Sequence, residues 1–306
     1  MTLEIIQLLM KWIKAARLRT LPLSLAGIVM GGALSYTSGF NPHIFWLCIA
    51  TATAFQVLSN FANDYGDFTK GTDNDNRVGP KRTMQAGLIS KSEMKVALVV
   101  TSIISLVLGG YLSYLGTQLM ETKYLILFLV LGVLCVGAAI NYTVGKRAYG
   151  YSGMGDVFVF IFFGLVGVLG SKFLISGSLD GLEVLPALSI GLFSVAVLNL
   201  NNMRDEHNDK ANNKNTVVVK MGLQKAKAYH YFLILDGMAM LVIHTYLTVQ
   251  NYWQWLFLLP FLILFKHLFF VKKTNKNKAL DSELKKVALS TFLISLLYFL
   301  GIYISC

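Results

Sequence analysis

Charge is what this chain has least of. Only 14% of its 306 residues are Asp, Glu, Lys or Arg, against roughly 25% in soluble globular domains. That deficit excludes an ordinary water-solvated surface and makes lipid the solvent for most of the chain. Cysteine is scarce too: Cys48, Cys135 and Cys306 stand in or at the end of apolar segments, without metal-ligand spacing. Neither a disulfide framework nor a zinc site fits them, and they read as packing residues. No Walker loop, no His-Glu-x-x-His pair and no serine nucleophile elbow occurs. His43, His230, His244 and His267 are scattered and form no pair in sequence. A cleavable leader is not expected. Lys11, Lys14, Arg17 and Arg19 precede the first apolar block, and no small-residue cleavage site is evident.

What the chain has in abundance is hydrophobic sequence, 55% of it, in blocks near the ~20 residues that a membrane helix needs. The blocks predict nine helices, at 20–38, 44–62, 95–115, 124–142, 153–175, 183–201, 230–249, 253–271 and 287–304. The expected fold is an all-α integral membrane bundle, one domain over residues 1–306. A net charge of +11 could suggest nucleic acid, but the cations are confined to alternate connections, as membrane topology demands. The N-terminal segment and the loops at 63–95, 143–152, 202–229 and 272–286 hold them, whereas the opposite connections contain only Lys123. This pattern predicts a cytoplasmic N-terminus and a C-terminus outside. Ser90 and Glu93 read as a capping box opening the third helix.

Acids gather in two places, both expected in cytoplasmic loops, about 60–95 and 201–229. The first is Asn60-Phe61-Ala62-Asn63-Asp64-Tyr65-Gly66-Asp67, followed by Asp73. If the second helix runs through it, Asn60, Asp64 and Asp67 share a face. The second cluster places Asn201, Asp205 and Asp209 at four-residue spacing, with Arg204 and His207 between them. A solvated loop would explain either cluster alone. Two matched rows of oxygen ligands at helix ends suit Mg2+, which is typically held by one or two carboxylates plus substrate phosphates. Lys70, Arg77, Lys146, Arg147, Arg204 and Lys214 could neutralise the rest of a diphosphate. His207 reads more simply as a solvated loop residue than as a ligand. Asp156 stands just inside the fifth helix, where an acid is costly; it could orient Lys146, help remove a proton or meet a structural partner.

These residues resemble the two Asp-rich motifs of the UbiA-type intramembrane aromatic prenyltransferases. The resemblance is closest to the branch acting on 1,4-dihydroxy-2-naphthoate in menaquinone synthesis. It rests on Ala16-Arg17-Leu18-Arg19-Thr20-Leu21-Pro22, Ser59 to Asp67 with Lys70-Gly71-Thr72-Asp73, and Arg82-Thr83-Met84-Gln85-Ala86-Gly87. Tyr142-Thr143, Tyr149-Gly150 and Asn201-Asn202-Met203-Arg204-Asp205 extend it. The broad pattern departs at Phe68, where an Asp is usual and Asp67 stands in. The resemblance implies nine helices around a central cavity with a cytoplasmic cap, in a bacterial inner membrane. It further implies Mg2+ on Asn60, Asp64, Asp67, Asn201, Asp205 and Asp209, and a polyprenyl diphosphate also met by Arg19. Asn63, Asp73, Tyr142, Tyr149 and Asp156 would orient the acceptor or serve catalysis. The implied reaction is prenylation with loss of CO2, giving demethylmenaquinone. Two rival readings are an enzyme for another ring, such as 4-hydroxybenzoate, and an ion-coupled secondary transporter.

Overall fold

Backbone amides have no partner in hydrocarbon except one another, so long apolar blocks fold as helices there. The computed structural model describes residues 2–75, 77–274 and 277–306, without the side chains of residues 2–5 and 7. Among the described residues, nine helical runs are long and apolar enough to cross a membrane. Helix α1 (Thr2–Ala16) precedes α2 (Leu21–Gly39), and the first of the nine runs, Leu8–Gly39, takes in both. Then follow α3 (Pro42–Thr69), α4 (Lys91–Thr117), α5 (Thr122–Asn141) and α6 (Gly155–Ser176). Helix α7 (Val184–Ala211), the short α8 (Val217–Met221), α9 (Leu223–Thr248), α10 (Phe261–Lys273) and α11 (Leu280–Ser305) complete the chain.

Local signals act where the sequence placed them. Ser90 accepts from Glu93 N at 3.3 Å while Glu93 accepts from Ser90 N at 2.7 Å. Asn41 caps α3 through His43 N and Ile44 N, with Pro42 at the first helical position. Helix α7 forms the spine of the bundle, with Ile190, Phe193, Leu200 and Met203 wholly buried. Small residues let α6 press against its neighbours. A Cβ on Gly27 would sit 2.7 Å from Phe163 O, and one on Gly164 would sit 2.7 Å from Ala187 O. The middle of α6, Phe160–Gly170, winds as a π-helix. Helix α5 buries none of its residues and lies at the lipid periphery.

Two expectations need correction. The two acid rows are not in loops: α3 continues to Thr69 and α7 to Ala211, carrying Asn60 to Asp67 and Asn201 to Asp209 on their last turns, with Asp73 in the loop after α3. Hydropathy alone ended these helices early because their final turns are polar, yet their acids are buried among the cations and loops of the rim. Second, two histidines do pair: His230 Nε2 meets His267 Nε2 at 2.7 Å, and His267 Nδ1 meets Glu283 Oε2 at 2.6 Å. The three residues tie α9, α10 and α11 together. Towards the end opposite the acids, a further cation sits within a helix, outside the connections. Lys172 lies inside α6, buried, with Nζ 3.1 Å from Glu183 Oε1 and 2.7 Å from Ser178 O.

Candidate active site at the charged rim

Helical spacing brings Asn60, Asp64 and Asp67 onto one face of α3, and all three are buried. Arg17, in a left-handed conformation (φ 49°), donates to Asp64, and Thr83 Oγ1 donates to its other oxygen at 2.8 Å. Asn60 Nδ2 donates to Ala16 O at 2.8 Å, pinning the chain that presents Arg17. Arg82 binds Asp67 at 2.6 Å, Asp73 at 3.0 Å and the Asn63 carbonyl at 2.8 Å. Tyr151 Oη donates to the second Asp67 oxygen at 2.7 Å. Phe68, by contrast, is 40% exposed, so Asp67 is the acid that points inward.

The second row mirrors the first. Asp205 and Asp209 are buried on α7; Arg204 grips Asp205 at 2.6 and 3.0 Å, Asn201 at 2.8 Å and Asp281 at 2.6 Å. Lys214 approaches Asp209 at 3.7 Å. The rows meet where Asn208 Nδ2 donates to Thr72 O at 3.0 Å. His207, between the acids, is exposed and away from them.

The basic residues divide between two open clefts flanking the acids. Lys70, Lys146, Arg147 and Tyr151 line one of 620 Å³, with Lys70 Nζ 3.9 Å from the centre of the Tyr151 ring. Arg19 and Arg77 line the other, of 530 Å³, together with Arg17, Asp64 and Arg82. Burial lowers the Lys70 and Arg77 pKa values. Burial also works against the Arg82 charge, but Asp67, Asp73 and Asp64 outweigh it and hold the guanidinium above its ordinary range. Burial pushes Asp73 up despite Arg82. It raises the Tyr142 phenol as well, with Asp67, Asp156 and Asp209 adding to the effect, so Tyr142 remains a hydrogen-bond donor.

Below the acids, Tyr142 and Tyr149 meet edge to face at 5.3 Å, and Tyr149 stacks on Phe158 at 3.9 Å. Thr143 Oγ1 meets Asn63 Oδ1 at 3.4 Å. Asp156 interacts with Tyr229, not Lys146, and its Oδ2 has no hydrogen-bond partner. Asn199 is wholly buried on α7 and has none for either amide atom. An amide buried without partners costs about 1–3 kcal/mol, so both groups are marked for contact with something polar.

Sequence reasoning gathered the acids but missed Arg17, Arg82, Tyr151 and Asn199. The first two stand inside quoted motifs, where an arginine flanking an acid row was the available signal. Tyr151 and Asn199 carry no local signal.

The donors fit a hard cation: they are oxygens only, and each cluster leaves one buried carboxylate oxygen without a hydrogen bond, Asp73 Oδ1 and Asp209 Oδ2. Among the described residues no three acids, histidines or cysteines converge tightly enough to hold a metal by themselves, so phosphate oxygens would have to complete any shell.

The nine apolar helices among the described residues, with two facing carboxylate rows in a basic rim, define a polytopic membrane protein built to take an anionic group at the end of its spans. The chain belongs to the UbiA prenyltransferase family, whose sequence profile matches residues 24–298. It is 40% identical over 295 residues to the 1,4-dihydroxy-2-naphthoate octaprenyltransferase of Escherichia coli (strain K12), covering 96% of this chain and 95% of that protein. The Haemophilus influenzae protein of the same name is 40% identical over 296 residues, covering 96% of each. Among solved structures, a UbiA homologue from Archaeoglobus fulgidus bound to GPP and Mg2+ superposes with a TM-score of 0.69 at 14% identity. The match covers 96% of this chain and 98% of that one.

Proposed function

We propose that this chain transfers a polyprenyl group from its diphosphate to 1,4-dihydroxy-2-naphthoate with loss of CO2, giving the quinol form of demethylmenaquinone in menaquinone biosynthesis. It works with Mg2+ in a bacterial cytoplasmic membrane, N-terminus inside and C-terminus outside. The observation that carries this reading is the pair of buried carboxylate rows on α3 and α7, in a chain so similar to two naphthoate octaprenyltransferases.

In the reaction the C–O bond to diphosphate breaks and a C–C bond to the ring forms. The bond to the carboxyl carbon breaks and returns its electron pair to the ring. Asn60, Asp64, Asp67, Asn201, Asp205 and Asp209 would hold Mg2+, which neutralises diphosphate as it leaves. The archaeal homologue solved with GPP and Mg2+ is consistent with a divalent cation in this fold. Lys70, Lys146 and Arg147 on one cleft and Arg19 and Arg77 on the other draw in the diphosphate, with Arg204 and Lys214 beside the second row. Asp73 braces Arg82 and Arg77. The prenyl tail stays in lipid among the helices. Tyr142, Tyr149 and Phe158 offer aromatic faces to the acceptor ring, and Asn63, Asp156 and Asn199 offer polar partners to its substituents. Closing this space to water protects the allylic cation.

The test is an assay in liposomes with the naphthoate, a polyprenyl diphosphate and Mg2+, against an EDTA control. The expected product has the mass of a prenylated, decarboxylated ring and disappears with EDTA. Prenylation of 4-hydroxybenzoate in its place would discard the menaquinone assignment. Asp64→Asn and Asp205→Asn should each abolish turnover while the protein elutes as before; full activity in either removes that residue from the site.

A further inference from the structure

Helix α2 alone, at 1.5 Å per residue, already approaches the ~30 Å thickness of the hydrocarbon core. The preceding α1 therefore extends beyond what the first crossing needs. It carries two apolar faces. One packs inward: Trp12 lies 5.6 Å from Phe61 ring to ring, and Ala15 is buried with Met84, Ile89 and Met94. Lys11 meets Glu93 at 2.8 Å. These partners lie on the acid-bearing end of α3, in the loop after it and in the first turn of α4, so α1 lies along the charged rim.

The other face is bare. Ile6, Leu9, Met10 and Ile13 fall on one arc of a 3.6-residue wheel, and they are 56%, 56%, 46% and 47% exposed. Exposed Lys14 borders the arc, and exposed Arg19 follows it. After α1 the chain turns into the bundle through Arg17, in the left-handed region, and a 3-10 turn, Leu18–Thr20. A helix tethered to a first span at the rim, with an apolar arc edged by cations, fits the boundary between anionic headgroups and acyl chains.

This face is also joined to the site. The 530 Å³ cleft runs from Ile13 and Lys14 to Asp64. Asn60 holds Ala16 O and Thr20 Oγ1, and Arg17 holds Asp64. We propose that α1 is an in-plane anchor whose exposed arc sinks into an anionic bilayer surface. There it keeps the Arg17 cleft facing lipid as the mouth through which a lipid-tailed diphosphate enters. The role of the mouth rests on the prenyl-transfer reading; the anchor does not.

Two measurements test this. With Cys135 and Cys306 replaced by Ser, nitroxides on Ile6→Cys and Met10→Cys are placed in phosphatidylcholine vesicles with and without phosphatidylglycerol. The expected result is easy collision with oxygen and poor collision with a water-soluble nickel chelate, more so with the anionic lipid. Preference for the chelate overturns the anchor. In the second, Leu9→Asp with Met10→Asp should raise KM severalfold for a polyprenyl donor and leave KM for dimethylallyl diphosphate unchanged. An equal rise for both donors, or for neither, overturns the mouth. If that variant misfolds, the same comparison is made with wild-type protein, in bilayers against detergent micelles. Absence of any transfer by wild-type protein would sink the enzymatic reading, while the nitroxides still decide the anchor.

Discussion

Arg82 touches Asp67 and Asp73 and stands 3.7 Å from Asp64, so one guanidinium neutralises much of the first acid row. Removing one partner of a buried ion pair costs about 3–5 kcal/mol. Arg82→Ala should therefore lower the melting temperature clearly, and added Mg2+ should recover part of the loss as a replacement cation. Lys70 yields a pH prediction. Its pKa is lowered by burial, and a lysine binds diphosphate only as a cation. Donor affinity should thus begin to fall at lower pH than an ordinary lysine would dictate as pH rises; in Lys70→Arg that alkaline limb should disappear from a plot of donor KM against pH. The acids themselves were legible because three- and four-residue spacings announce a shared helical face. Their arginines were not: Arg17 and Asp64 are distant in sequence, and only the fold shows which cation serves which carboxylate. Asn199 looks like any polar residue near a helix end until its amide proves to be buried without partners.

At the scale of elements, the nine spans could be read from hydropathy, while their ends could not. The final turns of α3 and α7 are polar and would fray in water. They persist because each buries its acids against cations, Arg17 and Arg82 for α3 and Arg204 and Lys214 for α7, and because Asn208 ties α7 to the loop after α3. Gly66 shows how closely the end of α3 packs on the turn after α5: a Cβ there would lie 2.6 Å from the Thr143 backbone. Gly66→Ala should force α3 from the turn after α5. An overpacked site typically costs about 1–3 kcal/mol, and thermal unfolding in detergent would measure it. A melting point unchanged by the extra methyl would mean that the turn yields freely. The glycines of α6 signalled close helix contacts, but nothing in their spacing announced the π-helical winding.

For the whole molecule, charge asymmetry predicts which ends face which compartment. Cys306 is exposed at the end of α11, while Cys48 is buried. A membrane-impermeant maleimide should label Cys306 in spheroplasts without permeabilisation; labelling only after lysis would invert the topology. The buried pair formed by Lys172 and Glu183 bears on a different stage in the life of the protein. A lone lysine costs about 2.5–3.5 kcal/mol to insert at the centre of a helix and less towards its end, where Lys172 stands, and its partner here lies at the start of the next span. During biogenesis, α6 is thus best released into the bilayer together with α7, as a hairpin whose charges cancel. Glu183→Gln should reduce the amount of protein that reaches the membrane, leaving the turnover of each inserted molecule intact.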